Sequence, residues 1–271
     1  MTQRDEAFEA MRRTEMNDWV GGADPALVGL FCDDILKRLS SIGPRSRVLD
    51  FGCGIGRVAV QLLSRDQPPR GYLGIDIMPS VIDFCRAEIQ PRFPKTVFAL
   101  AAGTNDHYDR RIDTSVIAQS PAELTTQYGG RFTHAFAFSV FTHLYAADFI
   151  TALRFVGTLI RAGGEFLFTA FTLTAFARAM IAAGTTDFPL DRHEYREEGR
   201  VMIGDPTDPL AFIAYDPSLI TAMVAEAGLI ITKIEYGTWM GGRLGASLQD
   251  IYICRKPRRT RATGTKPQDS E

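Results

Sequence analysis

The sequence predicts an α/β protein built on an open, doubly wound and mostly parallel β-sheet. Short apolar runs typical of buried strands alternate with segments whose apolar residues recur at helical spacing. A glycine-rich turn follows the first of these runs and leads into a helical segment. Because parallel strands are joined through helices by right-handed crossovers, this alternation indicates repeated βαβ units.

The first part of the chain shows the alternation most plainly. Asp24 and Pro25 suit the cap and the first turn of a helix, and apolar residues at helical spacing follow them. Strands and helices then succeed one another up to a pair of glycines and a long apolar strand. The predicted strands are 47–52, 71–77, 96–102, 133–141 and 164–174, and the predicted helices are 24–40, 56–66, 79–90 and 146–164.

The second part departs from simple alternation. Residues 173–215 read as an insertion, with a short hairpin turning at "GDPTDP". A helix at 217–228 and two strands, at 229–236 and 248–256, complete the pattern. We expect the insertion to act as a lid over the functional site.

These elements define the expected domain boundaries. The folded domain is predicted at residues 23–256. Residues 1–22 are polar and are expected to form either a mobile arm or a helix over the site. Residues 257–271 contain no apolar run and are predicted to be a disordered tail.

Composition excludes several classes of function. The net charge of −2 gives no sign of a nucleic-acid or membrane partner, and no apolar run reaches the length of a membrane span. The four cysteines are scattered without a CxxC pair, which argues against a zinc site or a disulfide framework and favours a reducing cytoplasm. The N-terminus is charged where a signal peptide would be apolar.

The stretch "VLDFGCGIGR" carries the main functional signal. Gly52, Gly54 and Gly56 follow a buried strand, whereas the nicotinamide fingerprint would require a third glycine where Arg57 stands. Asp76 ends the second strand, where a carboxylate can accept both ribose hydroxyls of an adenosyl ligand. The alternative is a generic turn in which Asp76 caps the next helix.

An acidic residue followed by glycines at alternate positions resembles motif I of the class I S-adenosylmethionine-dependent methyltransferases. The segments "WVGG", "FSVFTHL", "LIRAGGEFLF" and "QDIYICRK" resemble a bacterial group of these enzymes that act on small molecules and glycans, and the resemblance covers residues 19 to 256. It implies a Rossmann-like sheet of seven strands whose last strand is antiparallel and lies beside the sixth. It also implies S-adenosylmethionine as the cofactor.

The same resemblance and the strand ends indicate where the cofactor binds. In such enzymes an aspartate after strand three often holds the adenine, but Ala102 occupies that position here, so backbone groups or Asn105 are expected to replace it. Asp50 is expected to order the glycine loop or to accept from the ligand's ammonium group, and Arg57 to pair with Asp50. The candidate cofactor-binding residues are Asp50, Gly52, Cys53, Gly54, Gly56, Asp76, Ile77, Ala102, Asn105 and Ser139.

Methyl transfer to a hydroxyl also needs a group that removes a proton, and histidine suits this task near neutral pH. His143, in "SVFTHL", is either that base or a residue that shapes the cofactor site, and His193 is expected to contact the acceptor. His107 is expected in a loop near the adenine, and His134 at the start of a strand. The candidate substrate-binding residues are Trp19, Phe171, Tyr195 and Trp239.

The sequence therefore predicts methyl transfer to a hydroxyl, or less favourably an amine, of a small molecule or glycan unit. The alternative is a catalytically silent S-adenosylmethionine-binding module that acts through a partner protein. Residues 139–142 replace the Asn/Asp-Pro-Pro-aromatic run of nucleic-acid amino methyltransferases, which disfavours a flipped base as the acceptor. No cluster of carboxylates or histidines predicts a metal site.

Overall fold

A computed structural model of the protein describes residues 1–108, 111–112, 115–186, 199–241 and 245–258. His193, Tyr195 and residues 259–271 of the expected tail lie outside the described residues. The strands are β1 (Arg47–Phe51), β2 (Gly71–Asp76), β3 (Thr96–Leu100), β4 (Phe132–Ala137), β5 (Ile160–Ala170), β6 (Val201–Ile203), β7 (Ile213–Tyr215), β8 (Ile230–Glu235) and β9 (Asp250–Arg255). The helices are α1 (Gln3–Arg12), α2 (Met16–Trp19), α3 (Pro25–Leu39), α4 (Arg57–Leu63), α5 (Pro79–Phe84), α6 (Pro121–Tyr128), α7 (Ala146–Leu159), α8 (Ala175–Ala183) and α9 (Pro217–Glu226).

The main sheet has seven strands in the order β3-β2-β1-β4-β5-β9-β8. Strands β1 to β5 pair in parallel, and β9 pairs antiparallel with both β5 and β8. The predicted seven-stranded, mostly parallel sheet with an antiparallel last strand is thus confirmed. The strand order reverses between β1 and β4, so the loops after these two strands open the crevice where such sheets bind ligands.

Apolar side chains project from both faces of the sheet and pack against helices. Val48 of β1 packs with α1, α3, α4 and α5, whereas the next residue, Leu49, packs with α6, α7 and α9 on the other face. Both side chains are fully buried. Burial on both faces explains why the strands read as continuous apolar runs in the sequence.

The N-terminal segment forms a helix packed on the domain rather than a mobile arm. Helix α1 begins at a capping box made by Thr2 and Asp5. It then buries Ala7, Phe8 and Met11 in the same cluster as α3 and α4. Segment α2 follows and leads to Trp19 and Val20 beside the glycine loop.

Two predicted helices differ in form from their sequence patterns. The helix predicted at 79–90 continues beyond α5 as a π-helix, Cys85–Ile89, whose wider turn brings Cys85 and Ile89 against the glycine loop. Helix α7 ends at Leu159 because Ile160 already pairs with Phe132, before a shift of register in β4.

The insertion contains α8 and an antiparallel pair of strands, β6 and β7. The pair places Val201 opposite Tyr215, so the chain reverses at "GDPTDP", and the predicted hairpin is confirmed. No helix among the described ranges is both long and apolar enough to cross a membrane.

Phe141, which follows β4 within "SVFTHL", lies at the centre of an aromatic cluster in the core. Its ring centroid is 4.5 Å from that of Phe149 and 4.8 Å from that of Phe168. The side chain is fully buried. The motif therefore anchors the loop that carries His143, because its aromatic residue is fixed in the interior.

We expect Phe141→Ala to lower the free energy of unfolding by about 3–5 kcal/mol, since the change leaves a cavity among packed rings. Urea unfolding measures the effect. Phe31→Ala is the matched control: Phe31 is 47% exposed, and its replacement should change stability by at most about 0.5 kcal/mol. Equal effects of the two substitutions would contradict the assignment of Phe141 to the core.

Candidate functional site

The glycine loop after β1 requires glycine for both conformation and space. Gly52, Gly54 and Gly56 have φ angles of 76°, 51° and 82°, a region that side chains disfavour. A Cβ atom on Gly52 would lie 2.3 Å from Val140, and one on Gly56 would lie 2.3 Å from Ile89. The loop is thus packed closely between the segment after β4 and the π-helix.

Asp76 ties this loop to the end of β2. Its Oδ2 accepts a hydrogen bond from the Gly54 amide at 2.8 Å, and its Oδ1 accepts from the Met78 amide at 3.1 Å. Burial raises the pKa of the carboxyl above its usual range, and these amide donors oppose that shift. Each carboxylate oxygen has a further lone pair, so Asp76 fits a ligand that offers hydroxyl donors.

The side chain of Asp50 is bonded to Tyr72 on the neighbouring strand β2 rather than to Arg57. Its Oδ2 accepts a hydrogen bond from the Tyr72 hydroxyl, and burial raises the pKa of Asp50 to about 7. The Arg57 guanidinium donates instead to the backbone carbonyl of Val20 at 2.6 Å. The expected Asp50–Arg57 ion pair is therefore wrong: Arg57 holds the N-terminal segment over the glycine loop.

The end of β4 is fixed by partners from two other strands. Ser139 has a φ of 56°, which is unusual for a residue with a side chain. Its amide donates to Thr169 Oγ1 at 2.8 Å, and its Oγ accepts from Gln249 Nε2 at 2.9 Å. These bonds hold a strained backbone at the sheet edge, as is common at functional sites. They also connect "FSVFTHL" to the "QD" segment before β9.

Asp250, the acidic residue of that segment, organises the neighbouring loops. Its Oδ2 accepts from the Thr172 amide at 2.7 Å and from Trp239 Nε1 at 3.0 Å, and its Oδ1 accepts from the Gly237 amide at 2.7 Å. Trp239 is fully buried against Phe171. Trp239 and Phe171 thus lie in one packed cluster, and their expected contact with a substrate stays a prediction.

The loop after β3 is clamped to the loop after β4. Asn105 Nδ2 donates to the carbonyl oxygen of His143 at 2.8 Å, and Asn105 Oδ1 accepts from the His107 amide at 3.1 Å. The amide of Ala102 donates to the carbonyl of Gln119 at 2.8 Å. Nearby, Gly103 lies so close to Ile77 that a Cβ atom there would approach the Ile77 side chain to 2.9 Å.

Aromatic rings gather beside this clamp. The His107 ring stacks on the His143 ring with centroids 5.4 Å apart and an interplanar angle of 10°, and Tyr108 meets both rings edge to face. Arg111 lies over Tyr108 and over Trp19, 5.5 Å from the Trp19 ring centroid. Trp19 therefore lies at the border of the site, where it contacts Arg111 of the loop after β3.

His143 is held as a neutral imidazole. Its Nδ1 is 2.7 Å from the carbonyl oxygen of Leu210, so Nδ1 carries the proton and Nε2 carries the lone pair. Burial, opposed by this hydrogen bond, lowers the pKa of His143 to about 4. The Tyr215 hydroxyl donates to the carbonyl of Leu144, so the β6–β7 hairpin is attached to the loop after β4 at two points.

The sheet brings most of the predicted residues to one edge. The glycine loop, Asp76, Asn105, Ser139 and His143 all follow the carboxyl ends of parallel strands. His134 lies at the other end of β4, where its ring nitrogens meet the hydroxyls of Ser41 and Thr133. His134 is thus part of the scaffold, as its position in the strand suggested.

One partner in this site could not be found from the sequence. Asp208 contacts the His107 ring, with Oδ2 2.7 Å from Nδ1, although the two residues are 101 positions apart. In the sequence, Asp208 belongs to "GDPTDP", which indicates only a turn. A histidine and an aspartate without characteristic spacing could not be paired before the fold was known.

The environment of His143 predicts a pH-dependent stability. The unfolded chain protonates this histidine near its ordinary pKa of 6.5, whereas the folded protein does so only near 4. Folding therefore loses stability as the pH falls from 6.5 towards 4, and this contribution is fully present above 6.5. In urea unfolding, the wild type should lose more stability between pH 7 and pH 5 than His143→Gln does.

Comparing the wild type with His143→Gln cancels the contributions of other groups to the pH dependence of stability. Asp50 is one such group: because its pKa is raised in the folded protein, it adds stability as the pH falls. A nitrogen-15 NMR titration provides an independent measurement. A midpoint near 6.5 for His143 would contradict its burial as a neutral ring.

Comparison with known proteins agrees with this geometry. The family model of the methyltransferase domain matches residues 27–198, more than half of the chain. The fold is similar to a Haloferax volcanii protein described as a putative methyltransferase in complex with the Trm112 methyltransferase activator, with a TM-score of 0.55 and 14% identity over 96% of this chain and 100% of the other.

Two further solved structures carry bound S-adenosylhomocysteine. The 1,6-didemethyltoxoflavin-N1-methyltransferase of Burkholderia thailandensis has a TM-score of 0.51 and 17% identity over 94% of this chain and 87% of its own. The magnesium protoporphyrin IX methyltransferase of Synechocystis PCC 6803 has a TM-score of 0.50 and 14% identity over 92% of this chain and 97% of its own. At these identities the likeness concerns the fold, and the family match carries the assignment. The chain belongs to the methyltransferase domain family, as a class I methyltransferase whose cofactor is S-adenosylmethionine.

Proposed function

We propose that the protein transfers a methyl group from S-adenosylmethionine to a hydroxyl of a small molecule or glycan unit. The observation that carries this proposal is the pair of stacked imidazoles, His107 and His143, at the same sheet edge as the glycine loop. The cofactor's sulfonium supplies an activated methyl group. A hydroxyl acceptor must also lose a proton, and imidazole is well suited to take it.

The cofactor is proposed to lie across the glycine loop. Asp76 accepts its ribose hydroxyls, because this carboxylate is buried, has lone pairs to spare and gains stability from additional donors. Ile77 is proposed to contact the adenine, and Gly103 lies directly beside its side chain. The remaining proposed contacts are Asp50, Gly52, Cys53, Gly54, Gly56, Ala102, Asn105 and Ser139.

His143 is proposed to organise the site rather than to act as the base. With a pKa lowered to about 4, its imidazole is a weak proton acceptor at neutral pH. The hydrogen bond from its ring to Leu210 instead fixes the β6–β7 hairpin. The hydrogen bond from Asn105 to its backbone carbonyl fixes the loop after β3. Trp19, His193 and Tyr195 stay proposed acceptor contacts.

A direct activity assay tests this function. S-adenosylmethionine carrying a labelled methyl group is incubated with the protein and with catechol, phenols, monosaccharides and primary amines in parallel. We expect label in hydroxyl compounds. Label confined to amines would contradict the hydroxyl assignment. Tight cofactor binding with no transfer would favour the alternative, a silent module that acts through a partner protein.

Asp76→Asn tests the proposed cofactor contact. The substitution keeps an oxygen acceptor for the loop but removes the charge. We expect it to weaken S-adenosylhomocysteine binding by about 2–4 kcal/mol, the scale of two charge-assisted hydrogen bonds. Isothermal titration calorimetry measures the affinity, and circular dichroism verifies the fold.

Asp83→Asn is the matched control, because Asp83 lies on α5 with its side chain 71% exposed. Its affinity for S-adenosylhomocysteine should equal that of the wild type. Unchanged affinity in a folded Asp76→Asn protein would remove Asp76 from the cofactor site.

A further inference from the structure

His107 and Asp208 form a pair that joins two separate loops at the site. The distance between Nδ1 of His107 and Oδ2 of Asp208 is 2.7 Å. His107 lies in the loop after β3, and Asp208 lies in the turn between β6 and β7. The side chain of His107 is 24% exposed and that of Asp208 is 41% exposed. The pair is therefore accessible to a ligand without local unfolding.

The aspartate determines which nitrogen of His107 can react. A carboxylate accepts the proton of Nδ1–H, so the lone pair of the neutral ring lies on Nε2. In the part of the chain that the structure describes, no hydrogen bond uses this Nε2. His107 thus presents an unoccupied proton acceptor, with its ring orientation fixed from the opposite side.

The partners of the two stacked histidines separate their roles. His143 donates its Nδ1–H to a neutral carbonyl, that of Leu210, whereas His107 donates to a carboxylate. A carboxylate stabilises the imidazolium that forms when the ring takes a proton, as in the aspartate–histidine pairs of hydrolases. A carbonyl provides much less of this stabilisation. Of the two rings, His107 is the one whose Nδ1–H meets a carboxylate.

The surrounding contacts hold the His107 ring at the cofactor edge. Its amide donates to Asn105, and its ring is stacked on His143. The neighbouring Tyr108 is buried with a pKa raised to about 12, and the charges of Asp76, Arg57 and Asp208 all act on its hydroxyl. Tyr108 thus lies in contact with the His107 ring and within the electrostatic field of Asp76.

We propose that His107, oriented by Asp208, is the catalytic base that takes the proton of the acceptor's hydroxyl. This inference rests on the proposed function. The proton passes to Nε2 of His107 while the acceptor oxygen forms a bond to the methyl carbon. The carbon–sulfur bond breaks, and its electron pair returns to sulfur, which leaves neutral S-adenosylhomocysteine. The imidazolium, paired with Asp208, then gives its proton to water.

The groups that face His107 are Asp208 from the hairpin turn, His143 from the segment after β4, and Tyr108 and Asn105 from its own loop. His143 is neutral at working pH and Tyr108 is protonated, so among the residues that the structure describes Asp208 is the charged partner at the ring.

The experiment compares His107→Gln and Asp208→Asn with Asp205→Asn, a control in the same turn whose carboxylate accepts from Thr207 and from the backbone amide of Asp208, bonds that the oxygen of Asn can keep. Rates are measured across pH 5–9 with the acceptor that receives most label in the panel above. We expect His107→Gln to lower the rate by about 10²–10⁴-fold. Asp208→Asn should give a smaller loss, and Asp205→Asn none.

Two measurements without turnover accompany the rates. Calorimetry should show that all three variants keep the S-adenosylhomocysteine affinity of the wild type. Long-range nitrogen-15 NMR should show His107 protonated at Nδ1 in the wild type, and a mixture of tautomers in Asp208→Asn.

The outcomes separate the inference from the proposed function. A panel in which no hydroxyl receives label contradicts both. Transfer to a hydroxyl with a wild-type rate in His107→Gln, or a His107 ring protonated at Nε2, overturns the role of His107 alone. A loss of cofactor affinity equal to the loss of rate would also overturn it, because the histidine would then only support the cofactor site.

Discussion

The site depends first on one hydrogen bond, from the Gly54 amide to the buried carboxylate of Asp76. The bond joins the ends of two parallel strands, β1 and β2, and fixes a loop in which three glycines have positive φ angles. The neighbours of this loop are then constrained by space, since Val140 and Ile89 leave no room for a Cβ atom at Gly52 or Gly56. A carboxylate buried in this way favours added donors, which connects the architecture of the loop to cofactor binding.

The second constraint is the attachment of other segments to the end of β4. Ser139 accepts from Gln249, and Asp250 collects donors from three separate positions, including the indole of Trp239. Because β9 lies next to β5, the last strand of the chain stabilises the loop of a strand more than 100 residues earlier. The "QD" segment thus contacts "FSVFTHL" through Gln249, while Asp250 satisfies the amide and indole donors of the neighbouring loops.

The two histidines of the site show how environment separates similar side chains. Both donate through Nδ1, but a carbonyl receives one proton and a carboxylate the other. Burial keeps His143 neutral, which suits a rigid platform, and Asp208 prepares His107 to accept a proton. The β6–β7 hairpin provides both partners, Leu210 and Asp208, so the insertion completes the site through short-range contacts with the loops after β3 and β4.

The sequence by itself determined the βαβ alternation, the glycine loop, the carboxylate at Asp76 and the hairpin at "GDPTDP", because spacing and turn chemistry are local properties. It also indicated that His143 follows the fourth strand. Only the tertiary structure decided the partners of these residues. Arg57 binds Val20 rather than Asp50, Trp239 and Phe171 pack against each other in a buried cluster, and His107 meets Asp208 across 101 residues. Such pairings depend on how strands and loops are brought together in space, and one sequence holds no record of contacts between distant positions.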